Sequence, residues 1–154
     1  MNCVTLGSLG RKAVILLVED NADHVLLTQI AFEEAKIEVD LQVAHDGIEC
    51  MDFLNRRGIH ADAPRPDLIL LDIHMPRMDG YEVLRRIRAD DALRLLPVNV
   101  LSTSGDLLDV KRMHELGCNS YIVKSNNFEH FTESMQQMVH YWLNVVVLPA
   151  TVQD

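Results

Sequence analysis

Short apolar runs alternate with amphipathic segments along most of the chain. Residues 13–18 and 68–71 are continuous hydrophobic runs, which are typical of strands buried on both faces of a parallel sheet. Residues 40–44, 97–101 and 120–123 fit three further strands. Because right-handed crossovers place helices on both faces, this alternation predicts an α/β fold with a doubly wound, five-stranded parallel sheet.

Five helices are predicted from hydrophobic residues that recur at helical spacing. The inward positions of the first, second, third and last helices are, in order, Leu27, Ile30, Ala31 and Ala35; Cys50, Phe53 and Leu54; Val83, Leu84 and Ile87; and Phe128, Phe131, Met135, Met138 and Val139. The fourth helix, about residues 106–116, should stop at Gly117, which suits a left-handed C-cap. Asn126 or Asn127 can cap the last helix, and residues 58–66 are predicted to form a loop.

Composition and charge narrow the class of protein. A length of 154 residues with 48% hydrophobic content predicts one domain with a proper core. The net charge of −9 argues against non-specific nucleic-acid binding, and no apolar run approaches the roughly 20 residues that span a bilayer. We therefore expect a cytoplasmic protein that binds neither DNA nor membranes, with a flexible lead at residues 1–12.

The three cysteines indicate reduced thiols. Cys3, Cys50 and Cys118 are odd in number and widely spaced, and no C-x-x-C pair occurs. We expect Cys50 and Cys118 to be small core residues. No histidine spacing backed by cysteines suggests a zinc site.

Polar side chains follow four of the predicted strands. Glu19 and Asp20 follow the first strand, Asp72 the third, Ser102 the fourth and Lys124 the fifth. In open α/β folds the carboxyl edge of the sheet is where ligands bind. Three carboxylates at one place repel each other unless a cation lies among them, and hard oxygen ligands favour Mg²⁺. A hydroxyl and an ammonium beside them suit a transferred phosphoryl group, which an aspartate can accept as an aspartyl phosphate.

Each of these residues also has an ordinary structural interpretation. Glu19, Asp20 and Asn21 could only cap the first helix, Asp72 and Ser102 could be turn residues, and Lys124 could be a solvated cation. Their joint occurrence at four strand ends favours a functional site.

This set, with the stretch L-L-D-I-H-M-P-R-M-D-G at residues 70–80, resembles the receiver domain of response regulators over residues 13–139. The resemblance implies a flavodoxin-like (βα)₅ fold in which Asp72 accepts phosphate from the phosphohistidine of a sensor kinase. It implies Mg²⁺ held by Asp20 and Asp72, by Glu19 through water, and by the backbone carbonyl of His74. Ser102 and Lys124 would contact the phosphoryl group. Tyr121 would be the switch aromatic, whose ring turns inward when the serine moves; a static core position is the alternative.

A second resemblance concerns the C-terminal part. Residues 119–125 and 141–149 are similar to the small response regulators that serve bacterial phytochromes, which lack a DNA-binding domain and form homodimers. We therefore expect a single receiver domain at residues 13–140 and an extension at 141–154 that dimerises together with the last helix. The apolar residues of the extension, Trp142, Leu143, Val145, Val147 and Leu148, could instead fold back on their own domain.

Some positions depart from the commonest receiver pattern. Ser125 replaces the usual proline after the lysine, so that the peptide bond is either trans or a strained cis bond. Thr103 is bulkier than usual, and with His74 it could crowd the hydrolytic water and lengthen the life of the phosphoryl group.

We expect a receiver that is not an enzyme and catalyses only its own slow phosphorylation and dephosphorylation. Two other functions are alternatives. A phosphatase of the haloacid dehalogenase type would usually need an aspartate where His74 stands. A dimeric scaffold would not need phosphorylation.

Overall fold

The protein is described by a computed structural model that covers residues 11–149. The predicted lead at residues 1–12 lies largely outside the described residues, as do Cys3 and residues 150–154 of the extension. The five strands are β1 (Val14–Val18), β2 (Asp40–Ala44), β3 (Leu68–Leu71), β4 (Val98–Ser102) and β5 (Ser120–Val123). They form one parallel sheet in the order β2-β1-β3-β4-β5, which confirms the predicted fold class.

Five α-helices cover the two faces of the sheet. They are α1 (Ala22–Glu34), α2 (Gly47–Leu54), α3 (Gly80–Ala89), α4 (Leu107–Leu116) and α5 (Phe128–His140). Ile15 and Leu17 of β1 pack with α1 and α5, whereas Leu16 and Val18 pack with α2, α3 and α4. The sheet is thus buried on both sides, which explains why its central strands are continuously apolar. No helix between residues 11 and 149 is long and apolar enough to cross a membrane.

Two predicted helix faces need correction. Leu27 is 46% exposed, because α1 buries the face formed by Thr28, Ala31, Phe32 and Ala35. At about 100° per residue, Leu27 lies roughly 90° from the centre of that face. Phe128 is 38% exposed at the first turn of α5, whereas the other four residues of its stripe are buried. Both residues border a cleft between α1 and α5.

The helix ends follow the predicted chemistry. The Asn127 side chain accepts from the His130 N–H at 3.0 Å, so Asn127 is the cap of α5. Gly117 ends α4 at a φ of 101°, as expected for a left-handed cap. The predicted loop at 58–66 contains one 3₁₀ turn, Gly58–His60. No peptide bond in residues 11–149 is cis, so the Lys124–Ser125 bond is trans.

The prediction that both described thiols are core residues holds for Cys50 but not for Cys118, which packs at the margin of the core. Cys50 is fully buried, Cys118 is half-buried, and both are free.

The chain after α5 divides into buried and exposed residues. Tyr141–Val145 forms a π-helical turn that continues from α5. Leu143 and Leu148 are fully buried against their own domain, so the fold-back alternative is correct for these two. Val145 and Val147 are 60% and 76% exposed.

A buried aspartate forms an ion pair at the amino edge of the sheet. Arg11 donates two hydrogen bonds to the Asp67 carboxylate, at 2.9 and 2.7 Å, and the Val14 N–H donates a third at 2.8 Å. Asp67 precedes β3 and is buried. Pro149 lines a cleft with Arg65 and Asp67, so both ends of the described chain lie at this edge.

Candidate functional site

Three carboxylates meet at the carboxyl edge of the sheet. Glu19 and Asp20 follow β1, and Asp72 follows the neighbouring strand β3. One carboxylate oxygen from each lies within 4.8 Å of the others, and we call this cluster the acidic pocket. Glu19 is buried, Asp72 is partly buried and Asp20 is exposed. Such an arrangement of hard oxygen atoms, open to water on one side, fits a divalent cation such as Mg²⁺.

The electrostatics of Asp72 support the same interpretation. Burial, together with the nearby charge of Glu19, raises the pKa of Asp72 to about 7, although Lys124 opposes the shift. A carboxylate whose ionisation is disfavoured by burial and a like charge is stabilised in its charged form when a positive charge lies beside it. The pocket therefore favours a cation.

Lys124 reaches the pocket from β5. Its Nζ donates to Glu19 Oε1 at 2.5 Å and to His24 Nδ1 at 3.0 Å, and its side chain is 9% exposed. The other oxygen of Glu19 accepts from the Asn21 N–H at 3.2 Å. The fold thus brings Glu19 and Lys124, which are 105 positions apart in sequence, to one pocket. His24 was missed, since a histidine in the first turn of a helix carries no sign of a partner 100 residues away.

Ser102 and Tyr121 meet at Ser104. The buried Ser102 Oγ accepts from the Ser104 N–H at 3.1 Å, and its hydroxyl can also donate one hydrogen bond. The Tyr121 hydroxyl donates to the Ser104 carbonyl at 2.7 Å, and its ring packs against the core under α2, α3 and α4. The Lys124 N–H donates to the Ser102 carbonyl at 2.7 Å, which joins the ends of β4 and β5.

The segment after Asp72 is held close to the sheet by Gly80. A Cβ at Gly80 would collide with the Asp72 carbonyl oxygen and the Ile73 Cα, so only glycine permits this approach. The Gly80 N–H donates to the Ile73 carbonyl at 2.7 Å. Arg77 donates to Asp46 at 2.7 Å, which ties this segment to the start of α2. The His74 side chain is exposed, two residues beyond Asp72.

The cleft between α1 and α5 opens beside Lys124. It has a volume of about 220 Å³ and is lined by His24, Leu27, Thr28, Thr103, Lys124, Ser125, Asn126, Phe128 and Phe131. The Thr103 side chain is exposed at its edge. The resemblance to receiver domains implies that Thr103 lies near the pocket, and Leu27 and Phe128 form an apolar wall of the same cleft.

Comparisons with known proteins identify similar chains. The sequence model of one protein family, the response regulator receiver domain, matches residues 15–136 of this chain. Response regulator Rcp1 of Synechocystis sp. is 40% identical over 137 residues, which cover 89% of this chain and 93% of Rcp1. The phosphorylated cyanobacterial phytochrome response regulator RcpA is 39% identical, with a TM-score of 0.83 over 89% of this chain and 98% of RcpA.

The Mn²⁺-bound form of Rcp1 is 39% identical, with a TM-score of 0.81 over 89% of this chain and 99% of that structure. Receiver domains bind a divalent metal, and the acidic pocket has the ligand chemistry for one.

Proposed function

Because the chain belongs to the response regulator receiver family, we propose that Asp72 accepts a phosphoryl group from the phosphohistidine of a sensor kinase. The reaction depends on Mg²⁺, and the protein changes its interaction surface as a result. One observation carries the proposal: Glu19, Asp20 and Asp72 converge on one pocket that Lys124 also reaches. Receiver domains are usually phosphoacceptors rather than enzymes, and we infer only slow self-catalysed phosphorylation and dephosphorylation here.

The chemical step is a transfer between a nitrogen and an oxygen atom. A carboxylate oxygen of Asp72 attacks the phosphorus, the P–N bond breaks, and the electron pair stays on the histidine nitrogen. The product is an acyl phosphate on Asp72. Lys124 and Ser102 donate hydrogen bonds to the phosphoryl oxygens, which carry most of the charge in the transition state.

Asp20 and Asp72 would ligate the metal directly, Glu19 through water, and the His74 carbonyl from the backbone. When bound, Mg²⁺ neutralises the carboxylates and the phosphoryl oxygens. The carboxylate cluster, the raised pKa of Asp72 and the Mn²⁺-bound form of Rcp1 support this assignment.

The switch would begin at Ser102. When its hydroxyl moves toward the phosphoryl group, the Ser104 N–H loses its acceptor, and Tyr121, which bonds to the Ser104 carbonyl, is free to repack. Phosphorylation would thus shift the population of α4 and β5 arrangements, because the phosphoryl contacts exist in only one of them.

The kinase would be a phytochrome-type light sensor. The likeness to RcpA, a phytochrome response regulator, supports this partner.

Residues 13–140 would form the receiver domain, and α5 with the following residues would form a homodimer contact. Tyr141, Val145 and Val147 are more than half exposed, which leaves apolar surface for a second copy. Sedimentation of the wild type and Val147→Asp should then show a dimer that the substitution weakens; a wild-type monomer at all concentrations would exclude this contact.

Incubation with acetyl phosphate and Mg²⁺ tests the central proposal. Intact mass should rise by one phosphoryl group in the wild type and in Asp62→Asn, a matched control on an exposed loop. It should not rise in Asp72→Asn or in EDTA. A wild type that gains no mass would favour the phosphorylation-independent scaffold, and multiple turnover of a phosphate ester would favour the phosphatase.

A further inference from the structure

We propose that His24 is a positioning residue for the phosphoryl transfer, which orients the ammonium of Lys124 by accepting one of its hydrogen bonds. The inference rests on the proposed function of Asp72 and concerns a residue outside the strand ends. It comes from the 3.0 Å contact between Lys124 Nζ and His24 Nδ1.

The His24 acceptor helps to fix the direction of the N–H donors of the Lys124 ammonium. Lysine has three N–H donors that rotate together about the terminal bond. One points to Glu19 Oε1 and a second to His24 Nδ1. With two donors engaged, the direction of the third is fixed. Without His24, the Glu19 contact alone restrains the position and rotation of the ammonium.

The same contact defines the state of the imidazole. An ammonium only donates, so Nδ1 is the acceptor and the ring proton is on Nε2. His24 Nδ1 lies 3.8 Å from Glu19 Oε1, which is too long for a hydrogen bond. The ring therefore contacts the acidic pocket through Lys124.

The start of α1 holds His24 in place. The His24 N–H donates to the cap Asn21 Oδ1 at 3.2 Å, and the Asn21 N–H donates to Glu19 Oε2 at 3.2 Å. The Thr28 hydroxyl donates to the His24 carbonyl at 2.9 Å one turn later. His24 and Glu19 are thus parts of one capped turn, which presents both acceptors to Lys124.

The test compares three variants with the wild type in the rate of phosphorylation by acetyl phosphate. His24→Ala removes the acceptor, His24→Asn keeps an oxygen close to the position of Nδ1, and His130→Ala replaces an exposed histidine on α5. The loss of a hydrogen bond from a charged donor should slow His24→Ala by about three- to tenfold. His24→Asn and His130→Ala should stay within about twofold of the wild type, since both keep the acceptor.

A second readout reports the hydrogen bond without any reaction. Long-range ¹H–¹⁵N correlation spectra of the metal-free protein should show His24 with its proton on Nε2, and the Nδ1 resonance should move in Lys124→Met. Urea unfolding should show that both variants at position 24 remain fully folded under the assay conditions.

The outcomes separate the inference from the function on which it rests. A wild type that is phosphorylated while His24→Ala reacts at the same rate overturns the positioning role alone. A ring proton on Nδ1, or His24→Asn as slow as His24→Ala, also overturns it. A wild type that gains no phosphoryl group overturns both proposals.

Discussion

The Tyr81 hydroxyl donates a hydrogen bond to Asp109 Oδ1 at 2.5 Å, which links the first turn of α3 to α4. The other oxygen of Asp109 accepts from the Ser104 hydroxyl at 2.7 Å. The guanidinium of Arg112 lies 3.9 Å from the centre of the Tyr81 ring. Because the Ser104 N–H bonds to Ser102 Oγ, the network runs from the proposed phosphoryl contact to two helices.

Tyr81→Phe should lower the free energy of unfolding by about 1 kcal/mol, because it removes one partly buried hydrogen bond. Urea unfolding followed by circular dichroism measures the change. Glu115→Gln is the matched control, since it breaks an exposed pair with Lys111 on the same helix and should cost less than about 0.5 kcal/mol. Equal stability of Tyr81→Phe and the wild type would show that the Asp109 contact contributes nothing.

Asp72→Asn should change how stability depends on pH in the metal-free protein. Burial and Glu19 raise the pKa of Asp72 from 3.8 to about 7, so the folded state binds a proton that the unfolded state has already lost. The free energy of unfolding of the wild type should therefore fall as pH rises from about 4 to about 7. At pH 8 in EDTA, Asp72→Asn should be more stable by at least about 1 kcal/mol, a figure reduced for solvent screening of this partly exposed group.

The free energy of unfolding is measured by chemical denaturation of the wild type and Asp72→Asn at several pH values. Asp62→Asn is measured as the control, which separates this effect from that of other titrating groups. Parallel curves for the wild type and Asp72→Asn would refute it.

Gly80→Ala should destabilise the fold by about 2–3 kcal/mol, because the new methyl group collides with backbone atoms of Asp72 and Ile73 that cannot move aside cheaply. Gly105→Ala offers a close comparison, since a Cβ there would meet only Val123 Cγ2 at 3.8 Å. That variant should lie within about 0.5 kcal/mol of the wild type. The contrast is measured by thermal unfolding, and similar melting temperatures for both variants would rule out the steric explanation.

Thr103→Ala should speed hydrolysis of the phosphoryl group on Asp72 by about two- to fivefold, or less than 1 kcal/mol of barrier. Thr103 is exposed at the edge of the cleft beside Lys124, where it would hinder an attacking water. Decay of the phosphorylated species by mass spectrometry gives the rate. Unchanged or slower decay would count against crowding as the cause of a long lifetime.

The elements that could be predicted from sequence are those with a local signal. The β1 and β3 runs are apolar because both of their faces are buried, and the end of α4 is marked by Gly117. The carboxylates of the acidic pocket were predictable because parallel strands bring their carboxyl ends to one edge.

What could not be predicted depends on contacts between distant elements. His24 meets Lys124 only because the fold brings the first turn of α1 next to the end of β5. Helical spacing alone could not show which neighbouring face of α1 is buried, and so Leu27 was misplaced. The tail residues Leu143 and Val145 are equally apolar in sequence, yet one is buried and the other exposed.

The ion pair between Arg11 and Asp67 has a practical consequence. Arg11 and Pro149 both lie near Asp67, which precedes β3 at the amino edge of the sheet. Asp72 follows β3 and lies at the opposite, carboxyl edge. A fluorescent reporter or an affinity handle fused beyond either position would leave from the edge of the sheet remote from Asp72. The same proximity suits a circular permutant, in which a short linker joins these two positions and new ends open elsewhere on the surface.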